Sequence, residues 1–214
     1  MKLTYTRLWA ASGQSALESS RILVISGSAT SVSILKNLVL PGIGHFTILD
    51  SSVVTPEDAG NNFFLEGPDS IGKSRAEETV RLLGELNDGV EGIAEKSKSL
   101  EDILEKDKEW LGNFTVVIAH NLGKKALDSL SAILWQDPLK PPLVVVRSAG
   151  FLAEFYIQYH EHAGLFFVEL YLKLFPLNLE MKSLKVIPKL QHLSGSTSRS
   201  LLFLNTPHLL ISRR

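Results

Sequence analysis

The sequence predicts an α/β fold built on a mostly parallel, Rossmann-like sheet, and three observations carry that prediction. Residues 34–50 read as a helix, a tight turn, a buried strand and then an acid at the strand's carboxyl end, where doubly wound folds hold a nucleotide ribose. Short apolar runs at 21–26, 114–119 and 142–147 have the composition of strands covered on both faces. Amphipathic stretches separate these runs, which gives the strand and helix alternation of a parallel sheet. A chain of 214 residues with 44% hydrophobic content suits one such domain with a modest appendage.

Taken in order, 21–26 is the first predicted strand. A helix over 30–39 follows, with Ile34, Leu35 and Leu38 at helical spacing and Pro41 and Gly42 ending it. His45 to Leu49 is the second strand. Residues 51–70, rich in Gly, Asn, Asp and Pro, are predicted as a long loop at the carboxyl edge, and loops of that length are usually functional or interfacial. Residues 71–87 read as a helix with Ala76, Val80, Leu83 and Leu86 as its apolar stripe. A third strand is expected at 90–94, and an acidic helix over 99–110 capped by Ser99. Residues 114–119 are the clearest core strand. Lys124 to Trp135 is helical, 142–147 is a further strand, and 151–160 turns back beside it.

Composition excludes several functions. A net charge of −1 and a pI near 6.6 give no basic footprint for nucleic acid. With no cysteine, the chain has no disulfide, thiolate ligand or thiol nucleophile, so it forms no thioester itself. The first residues lack the apolar core of a signal peptide, so an intracellular protein of cytoplasm or nucleus is expected. A phosphate-cradling loop needs several glycines so that backbone amides can approach anionic oxygens. Here Ser26-Gly-Ser-Ala-Thr-Ser31 contains only Gly27.

Six segments in order resemble one family. They are Ser15-Ala-Leu-Glu-Ser19, Ile34-Leu-Lys-Asn-Leu-Val-Leu-Pro-Gly-Ile-Gly44, Phe46-Thr-Ile-Leu-Asp50, Glu57-Asp-Ala-Gly-Asn-Asn-Phe-Phe-Leu65, Ser70-Ile-Gly-Lys-Ser-Arg-Ala76 and Phe114-Thr-Val-Val-Ile118. Together they look like the regulatory, non-thioester subunit of the heterodimeric neddylation-activating enzyme, within the ThiF/MoeB-type, ubiquitin-activating-enzyme-like family. The resemblance covers about residues 14–163 and implies a Rossmann-like adenylation fold, incomplete at the C-terminus. It also implies a heterodimer. The partner, a catalytic cysteine-bearing subunit, would bind ATP and Mg, adenylate the C-terminal carboxylate of a ubiquitin-like modifier and pass it to its cysteine. The present chain would be a pseudoenzyme that binds no cofactor alone and contributes no catalytic residue of its own. Active members carry an Asn-Leu-Asn-Arg motif after the second strand, and the corresponding stretch here, 58–64, has no arginine.

Individual residues keep two readings each. Asp50 is a ribose acceptor or a structural cap. Lys73 matches a lysine that approaches ATP in active members, and is a relic of that role or a solvated helix charge. Gly42 and Gly44 are turn and packing glycines rather than ligand contacts. Asp58, Asn61, Asn62, Phe63 and Phe64 form a polar, then doubly aromatic loop suited to a partner interface. Arg7 is a candidate for the family's trans-acting arginine, because a planar guanidinium binds phosphate oxygens bidentately. The segment Tyr5-Thr-Arg-Leu-Trp9 is shorter than the family's opening, so its alignment with that arginine stays open. His160 and His162 flank Glu161 without a visible third ligand, so no metal site is expected.

The domain expected over 1–163 gives way to a divergent, leucine-rich tail over 164–214, with 14 leucines, two acids and seven bases. Its apolar start is interrupted by Glu169, Lys173 and Pro176, well short of the roughly 20 residues that span a bilayer. A buried or interfacial helix and translated non-coding sequence are the two readings of this tail. Three functions follow: a regulatory subunit, a stand-alone adenylating enzyme using Asp50 and Lys73, or a truncated isoform that only binds protein.

Overall fold

The computed structural model describes residues 2–160, with side chains from residue 10 onward, so the tail and His162 lie outside the described residues. The elements run α1 (Lys2–Glu18), β1 (Arg21–Ile25), α2 (Ala29–Val39), β2 (His45–Leu49), α3 (Pro56–Asn61), α4 (Arg75–Gly84), β3 (Glu91–Glu95), α5 (Leu100–Lys106), β4 (Val116–His120), α6 (Lys124–Trp135), β5 (Leu143–Ala149) and β6 (Leu152–Gln158). They build a six-stranded sheet of order β3-β2-β1-β4-β5-β6, parallel except for the antiparallel β6. The chain winds outward from β1 to β3, then returns to start again at β4. The strand order therefore reverses between β1 and β4, and in open α/β sheets ligands bind beyond the carboxyl ends at that point.

Burial explains why the strands lack polar alternation. In β1, Leu23 and Ile25 face a core with Ile103, Leu104, Leu127, Leu130 and Leu134 of α5 and α6. Ile22 and Val24 face a second core with Val32, Leu35 and Val39 of α2 and Ala76 and Leu83 of α4. Helices cover both faces, so both sets of alternating residues are apolar.

Four expectations are corrected. The 51–70 segment is not a plain loop: it holds α3 and a 3-10 turn at Gly67–Ser70. Thr55 and Asp58 form a reciprocal capping box with Pro56 in the first turn, which is enough to start a helix that apolar periodicity does not reveal. The helix expected over 71–87 is shorter, because Ser74 caps α4 and the residues before it pair backbone to backbone with 52–54. Leu86 is accordingly half-exposed, while Leu82 is buried. The helix expected over 99–110 ends at Lys106 and continues as a 3-10 turn over Lys108–Asn113, with Ser99 capping as expected. Finally, α1 was not anticipated. Its carboxyl end lies against the start of β2, where the Gly44 amide donates to the Leu17 carbonyl at 3.2 Å.

Candidate functional site at the carboxyl edge

Three loops converge beyond β1, β2 and β4. The first leaves β1 through Ser26, which adopts φ +81° although it is not glycine. A left-handed backbone costs a non-glycine residue about 1–2 kcal/mol, so the turn keeps a glycine-type shape with a serine in it. Gly27 follows, and its amide donates to Asp50 Oδ2 at 2.6 Å. A side chain there would crowd the same oxygen, since a β-carbon on Gly27 would lie 3.3 Å from it.

Asp50 closes β2 and is buried. Besides Gly27, its Oδ2 accepts from Arg75 Nε at 2.7 Å, and its Oδ1 accepts from the Ser52 amide at 2.9 Å. A carboxylate offers about four acceptor positions, so three are already used. Arg75 stands at the start of α4 and also donates through Nη1 to Asp58 at 3.2 Å. Burial alone would raise the Asp58 carboxyl, but the Thr55 amide and hydroxyl and the Arg75 guanidinium outweigh it and hold it below the usual carboxylate range. Burial likewise opposes the charge on Arg75, and Asp50 and Asp58 reverse that effect, leaving its pKa raised.

The reversal point itself is bridged by a chain of hydroxyls and one imidazole. Ser28, which caps α2, meets His120 Nδ1 at 2.7 Å, and His120 Nε2 meets Ser148 Oγ at 2.8 Å. Ser31 lies 3.0 Å from Ser28, and Thr30 lies 3.2 Å from Ser148. A neutral ring with one donor and one acceptor nitrogen fits two rotatable hydroxyls. Burial pushes the His120 pKa down. The unfolded chain therefore takes up a proton near pH 6.5 that the folded chain refuses, so stability is full above 6.5 and is lost as pH falls through the folded value. Chemical denaturation between pH 7.5 and 5 should show this loss, at no more than about 1.4 kcal/mol per pH unit. A His120→Gln variant should show a flatter profile.

On the α5 and α6 side of these loops lies a crevice of about 1010 Å³, lined in part by Asp50, Arg75, Lys98, Lys108, Lys124 and Lys125. Lys73 is not among its lining residues. It precedes the α4 cap and reaches Glu78 at 3.4 Å, within a cluster that also includes Arg81 and Ser70. The cation at Asp50 is Arg75, two residues later, which sequence reasoning missed. Only the cap at Ser74 hinted at it, by fixing where the first helical side chain would stand.

The loop residues separate. Asn62 is buried and its side chain accepts from the Phe64 amide at 3.1 Å, while Asp58 is engaged by Thr55 and Arg75. Asn61 is exposed, and Phe63 is 95% exposed with its ring edge-on to the half-buried Phe64. Arg7 lies within α1, and its side chain falls outside those described. His160 stacks on Trp135 at 4.2 Å. Among the described residues no group of three or more His, Asp or Glu side chains is placed to hold a metal ion, and no helix is long and apolar enough to cross a membrane.

Comparison with known proteins agrees with this architecture. The chain is 47% identical over 156 residues to the NEDD8-activating enzyme E1 regulatory subunit of Xenopus laevis, covering 73% of this chain and 28% of that protein. It is 40% identical over 156 residues to the corresponding subunit of Drosophila melanogaster, covering 73% of this chain and 29% of that one. The chain thus spans less than a third of the length of these relatives. Among solved structures, E. coli tRNA N6-threonylcarbamoyladenosine dehydratase, determined in complex with AMP, superposes with a TM-score of 0.57 at 17% identity, over 66% of this chain and 56% of that one. That likeness concerns the fold. The ThiF family profile matches residues 2–138, which take in the sheet through β4, the crevice loops and α6, and the chain belongs to the ThiF family.

Proposed function

We propose that this chain supplies the adenylation-fold part of a regulatory subunit in a heterodimeric activating enzyme for the neddylation modifier. In this reading it is a pseudoenzyme. ATP and Mg are handled by a catalytic, cysteine-bearing partner, which adenylates the ubiquitin-like modifier and carries it as a thioester, and this chain works inside the cell, in cytoplasm or nucleus, without nucleic acid or membrane as a partner. The observation that carries the reading is the occupancy of Asp50: its buried carboxylate already accepts from Gly27, Ser52 and Arg75. The names of the relatives, the absence of cysteine and the single glycine of the 26–31 loop support it.

Phe63 and Asn61 are the loop residues that would meet the partner, because a large apolar ring left in water is typical of an interface anchor. Arg7 is proposed to reach the partner's ATP. An Arg7→Ala variant in the reconstituted heterodimer should reduce ATP–pyrophosphate exchange by about a hundredfold, the scale of removing one preorganised donor. Unchanged exchange removes Arg7 from that role. The reading as a whole is tested by titrating Mg-ATP into the isolated chain. No saturable binding is expected, whereas Mg-dependent micromolar binding would favour a stand-alone adenylating enzyme using Asp50.

A further inference from the structure

We propose that a pocket at the amino end of β5 is a binding site for a small planar aromatic carboxylate, with Lys140 as its anion anchor and the stacked Trp135 and His160 rings as its wall. Its place in the fold is set by the pairing of Leu143 with Gln158, the first residue of β5 against the last of the antiparallel β6. Those ends lie at the edge of the sheet opposite Asp50, so the pocket is separate from the crevice there. The cavity measures about 570 Å³, within the roughly 300–1,000 Å³ of pockets that hold small ligands. Much of its wall is stiff. Pro138, Pro141 and Pro142 have a fixed φ, and the turn that carries them is closed by the Leu139 amide donating to Asp137 Oδ1 at 2.9 Å and the Lys140 amide donating to the Asp137 carbonyl at 3.0 Å. Gln158 is locked too, because its side-chain amide donates to the Ser131 carbonyl at 2.9 Å and its oxygen accepts from the Ser131 hydroxyl. Little has to be ordered when a ligand enters.

The ligand's chemistry follows from what lines the pocket. Trp135 and His160 lie ring on ring, 4.2 Å apart at 15°, and Trp135 and Tyr159 are both exposed, so flat aromatic surface remains for a further ring to stack on. The charge comes from Lys140. Its side chain is only 10% exposed, yet the carboxylate it meets, Glu109 at 3.3 Å, is 91% exposed. A pair with one member in water is heavily screened, so a nearly buried ammonium is left short of countercharge. His160 Nε2 is also buried and has no hydrogen-bond partner among the described residues. A carboxylate accepts from several donors at once, so one such group answers both needs. A neutral ring would serve only the stack.

The test uses the full chain and 2-naphthoate, followed by ligand-observed NMR, with thermal melts to confirm folding. Saturable binding with a dissociation constant of about 1 mM or tighter is expected, the range for a ligand of this size. 2-Naphthamide keeps the ring and loses the charge, and should bind at least about tenfold more weakly, as should 2-naphthoate to Lys140→Met. Lys140→Arg should keep most of the affinity. Glu109→Gln removes the competing carboxylate from a side chain in water and should tighten binding about threefold, the scale of an exposed ion pair. A lysine that only packs would give no such gain. Should Lys140→Met fail to fold, the amide comparison on wild type and the Glu109→Gln variant decide without it. No saturable binding by folded wild type, equal affinity for amide and carboxylate, or an affinity that neither substitution changes overturns the proposal.

Discussion

Replacing Asp50 by Ala is expected to lower the unfolding free energy by about 3 kcal/mol, the loss typical of breaking a buried ion pair and leaving one charge without its partner. Three donors lose their acceptor at once: the Gly27 amide, the Ser52 amide and the Arg75 Nε. Gly27 is buried, and an unpaired buried amide costs about as much as the bond it has lost. Arg75 retains Asp58, which limits the damage. Urea denaturation should therefore show a lower midpoint with an unchanged slope. An acid kept only to greet a ligand would show almost no change, so the size of the shift separates an anchor from a binding group.

A Gly44→Ala substitution is expected to be comparably severe, about 3 kcal/mol, at the upper end for overpacking. A β-carbon on Gly44 would stand 2.1 Å from the Glu18 carbonyl oxygen and 3.0 Å from that of Ser20. Both obstacles are backbone, at the turn from α1 into β1, so neither swings aside as a side chain would. Relief requires α1 to lift away from the start of β2. Gly60→Ala is the matched control: no atom lies within 4 Å of its β-carbon position, and a surface change of that kind stays within about 0.5 kcal/mol. Thermal melts of the two variants side by side check both expectations.

The parts of the fold that were legible in the sequence are those that local periodicity encodes. Residues His45–Leu49 and Lys124–Trp135 form a strand and a helix with the expected bounds, because one is a continuous apolar run and the other repeats its leucines at helical spacing. The resemblance to an adenylation-type fold rested on six short segments, one of which, Phe46 to Asp50, takes in most of that strand, and the ThiF match over residues 2–138 bears it out. What local pattern does not encode was missed. Helix α3 is held by a capping box and has no buried residue, so it leaves no hydrophobic trace. Among the described side chains of helix α1, Gln14 is buried and Leu17 packs on the core, and a polar residue beside a single leucine does not read as an apolar stripe.

The candidate site was less legible for a related reason: its contacts join residues far apart in the chain. Asp50 was singled out by its place at the end of a strand. Its cation was not, since Arg75 lies 25 residues away and is brought in by the turn before α4. His120 lies 92 residues from Ser28, and nothing in either neighbourhood announces the pair. A serine-rich loop looks like a damaged phosphate cradle when read alone. In the folded chain the Ser28 hydroxyl is hydrogen-bonded to His120 and that of Thr30 to Ser148, and the loop is an integral part of the structure.

The central claim, that this fold serves a partner's chemistry rather than its own, is tested most directly by reconstitution with the catalytic subunit, scored by modifier thioester on that subunit's cysteine. Thioester that forms with ATP and Mg only when this chain is present is the predicted result. Thioester at the same rate without the chain, or no thioester from a mixture in which the two subunits demonstrably associate, would contradict it.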